Sequence, residues 1–335
     1  MNQEKDRKVL VIGGAGYIGS VLISHLLNGQ YSVVVLDKLL YDNQKSLAEF
    51  ELNNSFSFIQ GDFCDNSKLD NSMDGVTDVV LLASLVGDPL CKKYSDEAKR
   101  INEEGSINLI KRLNRFALDK FVFLSTCSNY GLRDTDEPAD EQAELNPKSL
   151  YAETKVNVEQ YLINNQTNIN YSWTVLRSAT AFGLSPRMRF DLTISEFTRE
   201  LALDRELLVY DENTWRPYCH VDDISDAIIN VLEAPKKIVS GEIFNVGCNG
   251  ENHTKKGIVD IIIAQLKSGK VKYEKGGRDP RNYKVNFDKI SKVLKFQTNH
   301  TVKNAVEELI EKIKTGSFVD IESDKNFYGN YFLNL

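Results

Sequence analysis

Short apolar runs alternate with longer amphipathic stretches along most of the chain. "KVLVIGG" (8–14) is continuous and β-branched, the pattern of a strand buried on both faces. "GYIGSVLISHLLNG" (16–29) changes period: Ile18, Val21, Leu22 and Leu26 fall on one helical face, and Gly29 marks its end. "YSVVVLD" (31–37), "FSFIQGD" (56–62) and "VTDVVLLASLVG" (76–87) read as the second, third and fourth strands. A helix is expected between 96 and 117, where Ile101, Ile107, Ile110 and Leu113 are spaced for burial. "KFVFLST" (120–126) is a fifth strand, "SLYAETKVNVEQYLINN" (149–165) a helix, and "YSWTVLRSATAFG" (171–183) a sixth strand.

Such alternation predicts an α/β fold, a doubly wound parallel sheet with helices on both faces. The rhythm loosens after about residue 185. A helix at 221–234, a strand "EIFNVG" (242–247), a helix near 254–267, a strand "KVKYEKG" (270–276) and a helix near 302–314 follow. We therefore expect residues 1–180 to form a nucleotide-binding domain, with parts of 215–250 returning to it. Residues 181–335 are expected to form mainly a smaller, mixed α/β substrate lobe.

Composition narrows the class without changing this picture. Of 335 residues, 41% are apolar and 27% charged, as in an ordinary folded protein. The net charge of −7 argues against a nucleic-acid partner, which calls for a basic face. The five cysteines and four histidines are dispersed, with no Cys-x-x-Cys pair and no metal-ligand spacing, so no metal is expected. Free, scattered cysteines fit a reducing compartment, and no apolar run reaches the ~18 residues of a membrane span. A cytoplasmic protein without a membrane partner is expected.

"VIGGAGYIG" (11–19) sits where a strand turns into a helix. Its glycines permit a tight turn and let a pyrophosphate approach the backbone; Gly19 lets helix and strand pack closely. The helix N-terminus adds aligned N–H groups for an anion. A glycine run alone is weak evidence, but this context supports it. Asp37 ends the second strand, 18 residues beyond Gly19. An acid there accepts hydrogen bonds from an adenosine ribose diol and repels a 2′-phosphate, so NAD is favoured over NADP. Lys38 follows directly, and Asp62 at the end of the third strand is placed to reach the adenine.

Tyr151 and Lys155 are four residues apart on one helix and share a face. The Lys155 ammonium is expected to lower the Tyr151 pKa, making it an acid/base for an alcohol. The hydroxyl-rich strand end "STCSNYG" (125–131) lies just upstream.

Together, "GGAGYIG", "LDKL", "QGDF", "LLAS", Asn102, "STCSNYG", "YAETK", "RPYCHVDD" and "FNVG" occur in the order seen in extended short-chain dehydrogenases/reductases. The chain resembles the NAD-dependent epimerase/dehydratase family of nucleotide-sugar enzymes over roughly residues 8–315. The resemblance implies a Rossmann-type fold, NAD as cofactor, a nucleotide-diphosphate sugar as substrate, and a homodimer through the helices near 96–117 and 150–165. It implies that Tyr151 is the acid/base, that Lys155 holds the nicotinamide ribose, and that Thr126 hydrogen-bonds the reacting hydroxyl. Gly13, Gly16, Tyr17, Ile18 and Gly19 line the pyrophosphate in this reading. Asp37 and Lys38 lie at the ribose and Asp62 and Phe63 at the adenine. Leu82, Ala83 and Ser84 line the far side of the cofactor, with Asn102 near them. Ser128, Asn129 and Thr180 are expected on the substrate side. Thr180 stands where the family usually has asparagine.

Arginines suit a substrate diphosphate. Arg216 and either Arg278 or Arg281 are the expected ligands, and "SPRMRFD" (185–191) is a further basic cluster that could line the cleft. Family members that eliminate water carry an Asp-Glu pair directly after the active-site threonine, whereas this chain has Cys127 and Ser128. That departure argues against a 4,6-dehydratase. It leaves an epimerase acting at a sugar carbon, C4 in the first instance, as the leading expectation. A 4-dehydrogenase or ketoreductase on the same site is the alternative, and a non-catalytic NAD sensor is a third.

Overall fold

The computed structural model describes residues 7–133, 136–277, 281–318 and 320–334. Seven strands form the main sheet: β1 (Lys8–Ile12), β2 (Ser32–Asp37), β3 (Phe56–Gln60), β4 (Asp78–Leu81), β5 (Lys120–Thr126), β6 (Ser172–Ser178) and β10 (Glu242–Val246). Their order is β10-β6-β5-β4-β1-β2-β3, and every pairing is parallel. The continuous apolar runs are explained by this arrangement. Val9, Val11, Val33 and Val35 pack into one core layer, and Leu10, Ile12, Val34 and Leu36 into the other. A sheet covered on both faces has no polar side to show in its central strands.

The remaining strands are β7 (Thr180–Phe182), β8 (Glu206–Tyr210), β9 (Trp215–His220), β11 (Asn252–Thr254) and β12 (Lys270–Glu274). They make a β11-β9-β7 sheet and a β12-β8 ribbon. A separate apolar cluster, including Phe197, Leu207, Tyr218, Ile258 and Val306, stabilises this lobe. The helix Val221–Glu233 packs against the helix Tyr17–Asn28, and β10 adds to the edge of the main sheet beside β6.

Two elements differ from the sequence expectation. The sixth strand does not run from 171 to 183; β6 ends at Ser178 and the chain changes sheet, so Thr180–Phe182 pair with β9 instead. A continuous apolar run cannot show such a switch. The helix expected at 96–117 is in three pieces, Ser95–Lys99, a π-helical turn Arg100–Gly105, and Ser106–Leu113. Gly105 allows a close approach there, since a Cβ would lie 2.4 Å from Cys64 Sγ. Among the described residues no helix is long and apolar enough to cross a membrane.

Candidate active site

The C-terminal ends of the parallel strands open into one cavity of about 680 Å³. Its floor is the β1 turn. Gly13 has φ +87° and a Cβ there would lie 2.5 Å from Ala83 N, while a Cβ on Gly19 would lie 2.5 Å from the Gly13 carbonyl. Only glycine fits either position without displacing backbone. The helix opening at Tyr17 presents its first N–H groups toward the cavity, because first-turn donors have no intrahelical acceptor. Asn43 and Ser46 donate to the Ala15 carbonyl and brace the turn from outside.

Asp37 accepts from the Ala15 N–H at 3.0 Å and the Leu39 N–H at 2.8 Å. Burial pushes its pKa up, opposed by those two N–H groups and by nearby Arg187. Lys38 lines the cavity and pairs with Asp62 at 3.3 Å. Arg100 also reaches Asp62, and the Asp62 carboxyl is held below its ordinary value: burial is outweighed by the Cys64 N–H, Arg100 and Lys38. Tyr17, Ile18, Phe63, Leu82, Ala83 and Ser84 line the cavity with Gly13, Gly16 and Gly19.

Thr126, Ser128, Tyr151 and Lys155 face the same cavity. Strand β5 delivers Thr126, whose Oγ1 accepts from the Ser128 N–H and starts a short 3-10 turn. The helix Leu150–Asn164, capped by Ser149, delivers Tyr151 and Lys155. Lys155 is buried, donates to the Leu124 carbonyl at 2.9 Å and lies 4.6 Å from the centre of the Phe123 ring. Burial pulls its pKa down to about 7.

The expected depression of the Tyr151 pKa is not found. Burial drives it above its ordinary value, with Cys91 and Asp88 adding to the rise and Arg189 and Arg281 opposing it. The reason is geometric. Lys155 Nζ stands 5.9 Å from the Tyr151 ring centre and gives its hydrogen bond to the backbone.

Two expected ligands turn away from the cavity. Asn129 is fully buried, and its amide donates to Glu159 at 2.8 Å and to Ser125 at 3.2 Å. Asn102 is buried too, and it clasps the Leu85 backbone with both amide atoms, at 2.7 and 3.0 Å. It shapes the 82–87 loop rather than lining the cleft. Cys127 also faces inward, donating to the Arg177 carbonyl, and burial holds its thiol far above the ordinary range.

On the substrate side, Thr180, Arg216 and Arg281 line the cavity. Arg216 lies 5.3 Å from the Tyr283 ring centre. Arg281 donates to Ser128 Oγ at 3.2 Å and pairs with Asp88 at 3.1 Å. Arg278 lies outside the described residues. Sequence reasoning overlooked Asp88, Asp191 and Tyr218. It placed the arginines of 185–191 only as a cluster. Arg189 lines the cavity bound to Asp191 through two bonds, 2.9 and 2.6 Å, and Arg187 lines it as well. Gly87, with φ +108°, and Pro89 beside Asp88 were the available signal that this acid opens a helix at the cleft.

Residues 9–247 match the sequence profile of the NAD dependent epimerase/dehydratase family. The chain belongs to that family. Within it, the chain is 28% identical to the human protein named dTDP-D-glucose 4,6-dehydratase over 251 residues, covering 73% of this chain and 70% of the relative. It is 27% identical to the UDP-glucose 4-epimerase of Bacillus subtilis, covering 90% of this chain and 94% of the other. A crystal structure of the UDP-glucuronic acid 4-epimerase of Bacillus cereus, in complex with UDP-glucuronic acid and NAD, superposes with a TM-score of 0.83 at 25% identity, covering 92% and 99% of the two chains. Epimerases and dehydratases of the family therefore stand at similar distance. The comparisons do not support the exclusion of a dehydratase, and that argument rests on residues alone.

Proposed function

We propose that the protein is an NAD-dependent nucleotide-sugar 4-epimerase. The observation that carries this reading is the sharing of one cavity by the glycine turn and Asp37, by Thr126, Ser128, Tyr151 and Lys155, and by Arg216 and Arg281, the last in contact with Ser128. The residues present fit NAD. Side chains at Gly13 and Gly19 would collide with backbone, and Asp37 keeps a carboxylate beside the turn. NAD when bound supplies a reversible hydride acceptor beside the sugar carbon.

The chain's own residues do the rest. Thr126 and Ser128 hydrogen-bond the reacting oxygen, and Tyr151 takes its proton as the alcohol becomes a ketone. Lys155, whose pKa burial lowers, holds the nicotinamide ribose. Arg216 and Arg281 grip the diphosphate, a fixed tether about which the keto sugar can turn over before Tyr151 returns the proton. Elimination of water would need a further carboxyl acid and a carboxylate base. The cavity-lining acids Asp88 and Asp191 are both engaged by arginines, and Cys127 points into the core.

The test is turnover of UDP- and dTDP-hexoses by purified protein, followed by NMR. Inverted C4 product, many turnovers per enzyme and no net NADH support the reading. A 4-keto-6-deoxy product, or a requirement for added NAD or NADH in stoichiometric amount, would refute it. Tyr151→Phe is expected to lose at least ~10²–10³ in kcat while retaining NAD.

A further inference from the structure

Arg187 occupies an unusual environment. It is among the largest fully buried side chains, at 2% exposure, yet no carboxylate pairs with it among the described residues. Its guanidinium lies 4.8 Å from the centre of the Tyr41 ring, and Nε has no hydrogen-bond partner. Arg189, its like-charged neighbour, is neutralised by Asp191. A buried cation without a paired anion is costly, and natural sites keep one where a ligand supplies the charge.

The surroundings say which ligand part that is. Arg187 lines the cavity that the glycine turn also lines. The Arg187 backbone N–H donates to Ser185 Oγ, and Ser185 in turn donates to the Tyr17 carbonyl, in the first turn of the anion-facing helix. Asp37, the ribose-side acid, is close enough to feel its charge.

The same guanidinium has a second set of partners. Its NH2 group donates to the carbonyls of Asn326 and Gly329, both at 3.2 Å. These belong to a segment, residues 320–334, that contributes Asn330 and Tyr331 to the cavity lining. Polar tethers hold most of it. Asn330 reaches the Val86 carbonyl and Asp191, Asn334 pairs with the Leu40 carbonyl and Asp42, and Asp324 pairs with Lys45. Phe327 is its buried apolar anchor, and Ile321, Tyr328 and Leu333 pack partly buried against the neighbouring cores. Docking of the segment rests on these contacts together with the polar tethers.

We propose that Arg187 is the counter-charge of the dinucleotide pyrophosphate and that, through Asn326 and Gly329, it makes cofactor binding and docking of the 320–334 strap one cooperative event. This rests on the NAD reading above. Coupling of this kind is reciprocal: cofactor tightens the strap, and an intact strap tightens the cofactor by the same factor.

Hydrogen exchange of the strap amides tests it, on cofactor-stripped full-length protein with NAD, ADP or adenosine as probe. NAD and ADP, which carry the pyrophosphate, are expected to slow exchange across 326–331 by about tenfold or more, and adenosine to leave it unchanged. Arg187→Gln should weaken NAD binding by roughly 10–100-fold by calorimetry and abolish the protection. Arg187→Lys keeps the charge and should recover part of the affinity but none of the strap protection, because a point charge cannot span two carbonyls and a phosphate. Removal of residues 320–335 should also weaken NAD, and its effect should be less than additive with Arg187→Gln. Binding of NAD within twofold of wild type in Arg187→Gln overturns the proposal while leaving the NAD reading intact, as does equal protection by adenosine. NADP binding that depends on Arg187 while NAD binding does not assigns the side chain to a 2′-phosphate instead, and also overturns it. Failure of the wild-type protein to bind NAD at all sinks both readings.

Discussion

Arg177→Met tests what holds the reacting residues in place. Behind β5, Arg177 and Glu159 form an ion pair with side chains 4% and 0% exposed. Arg177 gives Glu159 bonds of 2.7 and 3.0 Å, and donates to the Tyr130 hydroxyl at 3.0 Å. Glu159 also accepts from Ser125 and Asn129, the residues on either side of the Thr126–Ser128 turn. Burial disfavours the Arg177 charge, but Glu159 outweighs it and raises the pKa. Removing the arginine strands a carboxylate in the core, and such breaks cost about 3–5 kcal/mol. Glu159→Gln with Arg177→Met removes both charges and keeps an acceptor for Ser125 and Asn129, so the double variant should recover about 1–3 kcal/mol. Urea unfolding of wild type, Arg177→Met, Glu159→Gln and the double variant measures this. In the single variant kcat should fall while NAD affinity changes little, because the strand end moves and the glycine turn does not. The reasoning fails if Arg177→Met loses less than about 1 kcal/mol, or if the double variant is the sum of its parts.

Two further outcomes follow from the geometry. His25 sits between Asp222 and Asp226, and their hydrogen bonds raise its pKa from 6.5 to about 9. A raised folded-state value gives stability that is fully present below pH 6.5 and lost as pH rises through 9, so wild type should lose about 1–2 kcal/mol across that window after allowance for solvent screening, and His25→Gln should lose this slope; parallel pH–stability curves for the two proteins would contradict it. Gly131 ends the 3-10 turn at φ +63°, and a Cβ there would lie 1.8 Å from the Asn146 carbonyl; Gly131→Ala should lower the thermal midpoint by several degrees, equivalent to at least about 2 kcal/mol, and an unchanged midpoint would refute the need for glycine beside Asn146.

Tracing which side chains were legible shows where sequence reasoning stops. The sheet was readable because a parallel strand covered on both faces must be apolar throughout, and Val9–Ile12, Val33–Leu36 and Phe121–Leu124 obey that rule. The glycine turn was readable because no other residue fits beside Ala83 and Gly13. Both signals are constraints of the backbone. The misplaced residues were all polar side chains whose location along the chain was right and whose direction was not. Asn129 lies one residue beyond Ser128, yet the 3-10 turn rotates it from the cavity into the Glu159 network. Asn102 sits in a π-helical turn that aims its amide at Leu85, and a 3.6-residue period does not anticipate that rotation. Lys155 shares a helix face with Tyr151 as the spacing requires, but the Leu124 carbonyl competes for its ammonium. That last competition bears on mechanism. If Tyr151 is to lose its proton, the help on its own side of the cleft comes from the charges of Arg189 and Arg281, both themselves balanced by Asp191 and Asp88. A substrate diphosphate that draws Arg281 toward itself would loosen its hold on Asp88, so the acidity of Tyr151 and the grip on substrate are set by the same guanidinium.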